Sequence, residues 1–64
     1  MIELKIEGMT CGHCESAVRR ALTAVPGVER VLEVDRQRGI ARLEGSPDRR
    51  ALIEAVEEEG YKAQ

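Results

Sequence analysis

A chain of 64 residues with a formal net charge of −2 and a pI near 5.4 has room for one small core, so residues 1–64 read as a single domain. With one Tyr and neither Phe nor Trp, that core is aliphatic and too small to enclose a substrate pocket. The chain also lacks the basic stripe and stacking aromatics that nucleic acid requires, and it shows neither a signal-peptide pattern nor an apolar run of membrane-spanning length, which points to the cytoplasm.

Ile2, Leu4 and Ile6 alternate with Glu3, Lys5 and Glu7, the period-two pattern of a strand with one buried face. Gly8 ends it. From Cys14 to about Ala24 the apolar positions Ala17, Val18, Ala21, Leu22 and Val25 recur at helical spacing, with Glu15, Arg19 and Arg20 on the outer side. Glu15 lies early in this helix, where a negative charge suits the dipole, and Pro26-Gly27 stops it. Val28 to Asp35 reads as a second strand whose alternation slips at Val31-Leu32, which predicts a bulge. Arg36-Gln37-Arg38-Gly39 is a tight polar connection, and Ile40 to Glu44 closes the hairpin.

Gly45-Ser46-Pro47-Asp48 signals a second helix, with Ser46 expected as N-cap, Pro47 at the first helical position and Asp48 in the first turn. Leu52, Ile53 and Val56 form its apolar stripe. Glu57-Glu58-Glu59 opposes the helix dipole and reads either as a solvated face or as a docking surface. Gly60 caps the end, and Tyr61 to Gln64 suffices only for a short last strand. The order β-α-β-β-α-β predicts an α+β, ferredoxin-like sandwich with two helices on a four-stranded antiparallel sheet.

The chemistry is concentrated in Gly8-Met9-Thr10-Cys11-Gly12-His13-Cys14, which holds both cysteines and the only histidine. A Cys-x-x-Cys pair at a strand-to-helix turn either holds a soft metal or cycles a disulfide. Exposed amides and the positive end of the helix dipole favour thiolates there. Gly12 keeps the loop unencumbered, and Thr10 can hydrogen-bond within it. Two thiolates are too few for a closed zinc site, and His13, placed inside the pair, is a poor co-ligand. Two soft thiolates do suit Cu(I), in an exposed site of low coordination that can admit a third sulfur from a partner. The rival reading is a small thiol-disulfide oxidoreductase, because Cys-Gly-His-Cys is also the tetrapeptide of disulfide isomerases. Against it, Pro26 closes one helix and Pro47 opens another, so neither is expected to face the cysteines, and no Trp precedes Cys11.

Gly-Met-Thr-Cys-x-x-Cys set in this element order resembles the heavy-metal-associated (HMA) domain family over essentially the whole chain. The family includes small copper chaperones and the metal-binding domains of copper-transporting P-type ATPases. The resemblance implies that Cys11 and Cys14 ligate one Cu(I) and that Met9 is a buried loop anchor. It further implies that Thr10, where zinc-selective relatives carry an acid, favours copper over zinc, and that Tyr61 stands beside the metal. It implies a cytoplasmic copper carrier, not an enzyme, whose partner is the metal-binding domain of a copper-transporting P-type ATPase. Mercury or zinc carriage on the same scaffold remains open, because mercury carriers bear nearly the same motif. The start at Met1 with no linker at either end points to a free chaperone, monomeric or bridged by copper into a dimer. His13 reads as an exposed loop residue, and Arg19 and Arg20 read either as a solvated face or as a steering patch for an acidic partner.

Overall fold

A computed structural model describes residues 1–10 and 12–64. Its elements are β1 (Ile2–Glu7), α1 (Gly12–Thr23), β2 (Val28–Asp35), β3 (Ile40–Gly45), α2 (Arg49–Glu58) and β4 (Lys62–Ala63). The strands form one antiparallel sheet in the order β2-β3-β1-β4, the expected ferredoxin-like arrangement.

The alternation in β1 translates directly into the sheet. Ile2 opposes Leu43, Leu4 opposes Ala41 and Ile6 opposes Ala63, so one face of three strands is apolar. On the other face Arg42 pairs with Glu3 at 3.1 Å, and Arg30 pairs with Glu44 at 2.7 Å. Such exposed pairs contribute about 0–1 kcal/mol each. The core on the apolar face contains Leu4, Leu43, Val18, Leu22, Leu52 and Val56, all inaccessible to solvent. Burying each such side chain stabilises the fold by about 1.5–3 kcal/mol.

Strand β2 carries the expected bulge and one more. Its register against β3 shifts between Val31 and Glu33 and again between Val28 and Arg30. The first shift turns Leu32 outward, leaving it 42% exposed. With both bulges, Val28, Val31 and Val34 fall opposite Gly45, Leu43 and Ala41 and pack against the core at a spacing of three. Where β2 meets the end of β3 the backbones nearly touch, and a Cβ on Gly45 would run into the Gly27 carbonyl oxygen.

The start of α2 differs from expectation. Asp48, not Ser46, is the N-cap, and its side chain accepts from the Arg50 amide at 2.9 Å. The chain before it is committed elsewhere. The Ser46 amide donates to the Gly27 carbonyl at 2.9 Å, and Pro47 lies against Gly27. Ser46 and Pro47 therefore join the α2 entrance to the turn after α1, and the helix begins two residues later than the Ser-Pro signal suggested. Smaller differences occur elsewhere. Helix α1 already includes Gly12, β3 extends to Gly45, and β4 is only Lys62–Ala63, although Lys5 and Gln64 prolong it by mutual backbone bonds of 3.0 and 2.9 Å. Ile53 is half-buried at the edge of the stripe that Leu52 and Val56 complete.

Candidate metal centre

The cysteine loop runs from the end of β1 into the first turn of α1. Of the two cysteines, Cys11 lies outside the described residues. Cys14 sits in the first turn of α1, half-buried and packed against the core. Its Sγ lies 3.8 Å from Thr10 Oγ1, so the loop hydroxyl and the helix thiol are bonded across one turn. Met9 points inward and is 8% exposed, within the core cluster. It anchors the loop by burying a flexible apolar side chain beneath it.

His13 is exposed on α1. Residues adjacent in a helix point about 100° apart, so its ring diverges from the direction of the Cys14 sulfur. Tyr61, between α2 and β4, is half-buried and packs against the core. Its ring closes over Gly8, where an added Cβ would meet Cδ1 at 3.3 Å. Thr10 and Cys14 thus meet at the start of α1, Met9 lies in the core beneath the loop, and Tyr61 stands against Gly8 where the loop leaves β1.

One residue of this neighbourhood carried no sequence signal. Arg36, in the β2–β3 turn, donates its amide to Glu15 Oε2 at 2.8 Å and brings its guanidinium within 3.4 Å of Oε1. The hairpin is thereby fastened to the first turn of α1, beside the cysteine loop. The turn itself is closed by Asp35, whose Oδ1 accepts from the amides of Gln37 and Arg38 at 2.9 and 3.1 Å. An Asx turn was foreseeable from Asp35-Arg36-Gln37-Arg38-Gly39, but its tie to Glu15, 21 residues away, was not.

Pro26 and Pro47 flank the opposite end of α1, where Pro47 lies against Gly27. Neither faces the cysteine loop, as the thioredoxin-like arrangement would require. An open groove of about 460 Å³ lies at that same far end, lined by Ala21, Ala24, Ala51 and Ala55 with Glu54 and Glu58 at its edge. Among the described residues, no three or more His, Cys, Asp and Glu gather into a metal-binding cluster.

The heavy-metal-associated domain profile matches residues 3–62. Copper-transporting ATPase 2 of Rhizobium meliloti is 42% identical over 88% of this chain, which spans only 7% of that protein. Copper chaperone CopZ of Staphylococcus aureus is 38% identical over 91% of this chain and 88% of its own length. Mercuric reductase of Acidithiobacillus ferrooxidans is 48% identical over 92% of this chain, which covers 11% of it. Among solved structures, a CopZ metallochaperone superposes with a TM-score of 0.90 at 32% identity, covering 98% of this chain and 97% of its own. The Hg(II) complex of the N-terminal domain of Tn501 mercuric reductase gives 0.80 at 45% identity, over all of this chain and 94% of that domain. Metal-binding domains of this kind are carriers without catalysis of their own. A profile match over nearly the full chain, on the ferredoxin-like fold, establishes that this protein belongs to the heavy-metal-associated domain family.

Proposed function

We infer that this chain is a cytoplasmic copper carrier in which Cys11 and Cys14 hold one Cu(I) between two thiolates. The observation that carries this reading is the Thr10–Cys14 contact at the exposed start of α1, with Met9 buried beneath it. A sulfur in the first helical turn faces the positive end of the helix dipole and a hydroxyl able to donate to it. Both favour the thiolate that a soft ion needs.

Transfer follows from low coordination. A partner thiolate enters as third ligand, one of the two resident sulfurs leaves, and the exchange repeats until the ion has moved. No step oxidises or reduces the metal. The partner that fits is a metal-binding domain of a copper-transporting P-type ATPase, given the similarity to such ATPases and to CopZ.

The test is an anaerobic titration of the reduced protein with Cu(I) against a competing chromogenic chelator, with Zn(II) and Hg(II) in parallel. One tight Cu(I) per chain is expected, lost in Cys11→Ser and Cys14→Ser and much tighter than zinc. Weak Cu(I) binding overturns the reading. Mercury carriage is the second reading, favoured by 45% identity to a domain solved with Hg(II) bound. Mercury retained against thiol competitors that strip Cu(I) would select it.

A further inference from the structure

Arg36 stands at the cysteine loop although it belongs to the β2–β3 turn. Its Nη1 lies 3.8 Å from where a Cβ on Gly12 would be, and 3.4 Å from Glu15 Oε1. Gly12 and Glu15 both belong to the first turn of α1, which also carries Cys14, so this guanidinium is held against that turn. The Arg36 and Glu15 side chains are 41% and 29% exposed, so their charges are screened only in part.

The charge of the loaded site depends on the ion. Two thiolates around Cu(I) leave a net charge of −1, whereas two thiolates around Hg(II) leave none. Both ions start from the same metal-free protein. The ratio of their affinities therefore responds to a nearby fixed charge only through the difference between the two loaded forms. A cation stabilises the anionic form more, and an anion does the reverse.

We propose that Arg36, fastened by Glu15 against the cysteine loop, sets ionic selectivity: its guanidinium favours the anionic bis-thiolate complex of a monovalent soft ion over the neutral complex of a divalent one. Gly12 and Glu15 fix where that charge stands, and the carboxylate of Glu15 moderates it. The proposal rests on Cys11 and Cys14 being the ligands.

The experiment uses the intact chain under argon at low salt. Affinities for Cu(I), Ag(I) and Hg(II) are measured by competition in the parent and in Arg36→Gln, Arg36→Lys and Glu15→Gln. Both Arg36 variants keep the backbone amide that binds residue 15, and Gln at 15 keeps an acceptor oxygen, so the hairpin stays fastened. Arg36→Gln should lower the Cu(I)/Hg(II) affinity ratio about three- to tenfold, with Ag(I)/Hg(II) following it. Arg36→Lys should restore most of the ratio, and Glu15→Gln should raise it above the parent. High salt should shrink every difference. An unchanged ratio in Arg36→Gln, or a shift of the same sign in Arg36→Gln and Glu15→Gln, overturns the proposal, because a purely mechanical tie would harm both alike. A parent chain that binds neither Cu(I) nor Hg(II) tightly refutes the carrier reading itself, and this inference with it.

Discussion

Thr10 Oγ1 and Cys14 Sγ lie 3.8 Å apart, which joins the loop before α1 to its first turn through the one thiol the structure describes. A metal-bound sulfur has no proton, so in the loaded protein the hydroxyl must donate. That bond is stronger to a thiolate than to a neutral thiol. Thr10→Val keeps the shape and removes the donor. It should weaken Cu(I) binding about two- to fivefold in the chelator competition. Thr10 is exposed, so the urea midpoint of the metal-free protein should stay put. Equal affinity in the variant would mean that the hydroxyl does not donate to the loaded site.

The N-cap of α2 gives a prediction that separates two adjacent polar residues. Asp48 accepts from the Arg50 amide at 2.9 Å, whereas Ser46 contributes its backbone amide to Gly27. Asp48→Ala should therefore cost about 1 kcal/mol of stability, and Ser46→Ala less than about 0.5 kcal/mol. Urea denaturation of the two variants checks it, and the reverse order would restore Ser46 as the cap.

That capping difference marks the boundary of what local pattern can tell. Where a signal depends on spacing within one element, the structure follows it: Ile2, Leu4 and Ile6 face the core, and the slip at Val31-Leu32 is a bulge. Ser-Pro is a good helix start in isolation, but here the Ser46 amide answers the carbonyl of Gly27, 19 residues away in the chain, and Asp48 caps the helix instead. The bulge between Val28 and Arg30 does have a trace in the paired polar residues Glu29-Arg30, which put Val28 and Val31 three apart, but the close approach of Gly45 to Gly27 that accompanies it lies between segments distant in the chain. At the candidate site the motif was legible because it is contiguous. Arg36 was not, because its place depends on a hairpin folding back onto α1.

Two glycines with left-handed backbones should respond very differently to alanine. Gly60 has φ +96° and open space where a Cβ would go, so Gly60→Ala carries only the conformational cost, about 1 kcal/mol. Gly45 has φ +133°, and its Cβ would collide with the Gly27 carbonyl and crowd the Glu29 amide at 2.8 Å. Backbone cannot swing aside as a side chain can, so Gly45→Ala should cost more than about 3 kcal/mol. Thermal melts would show Gly60→Ala lowered by about 4–8 °C and Gly45→Ala without a cooperative transition near the parent Tm. Similar losses in both would mean that strain at positive φ, not the close approach, governs Gly45.

His13 lies between the two cysteines in sequence but is exposed on α1, turned by the helical period away from the Cys14 sulfur. His13→Ala should leave Cu(I) affinity within about twofold of the parent, a change of less than about 0.5 kcal/mol. The competition titration at pH 7 decides this. A tenfold loss would place the imidazole on the metal.

Arg19 and Arg20 look equivalent as a steering pair, yet the structure uses them differently. Arg19 Nη1 donates to the Val31 carbonyl at 3.0 Å, tying α1 to β2 beside the bulge. A guanidinium held there has a structural task, and Arg19→Ala should cost about 0.5–1.5 kcal/mol in urea denaturation. Arg20, in the last turn of α1, is exposed and should cost less than about 0.5 kcal/mol on replacement. The transfer rate should divide the other way. If an acidic partner is steered by this helix, Arg20→Glu slows Cu(I) transfer at low salt and the deficit fades as salt rises, while Arg19→Ala leaves that salt dependence nearly intact. Stopped-flow transfer at several ionic strengths reads both slopes. Equal loss of salt dependence in the two variants would show that the Val31 bond does not withhold Arg19 from the encounter.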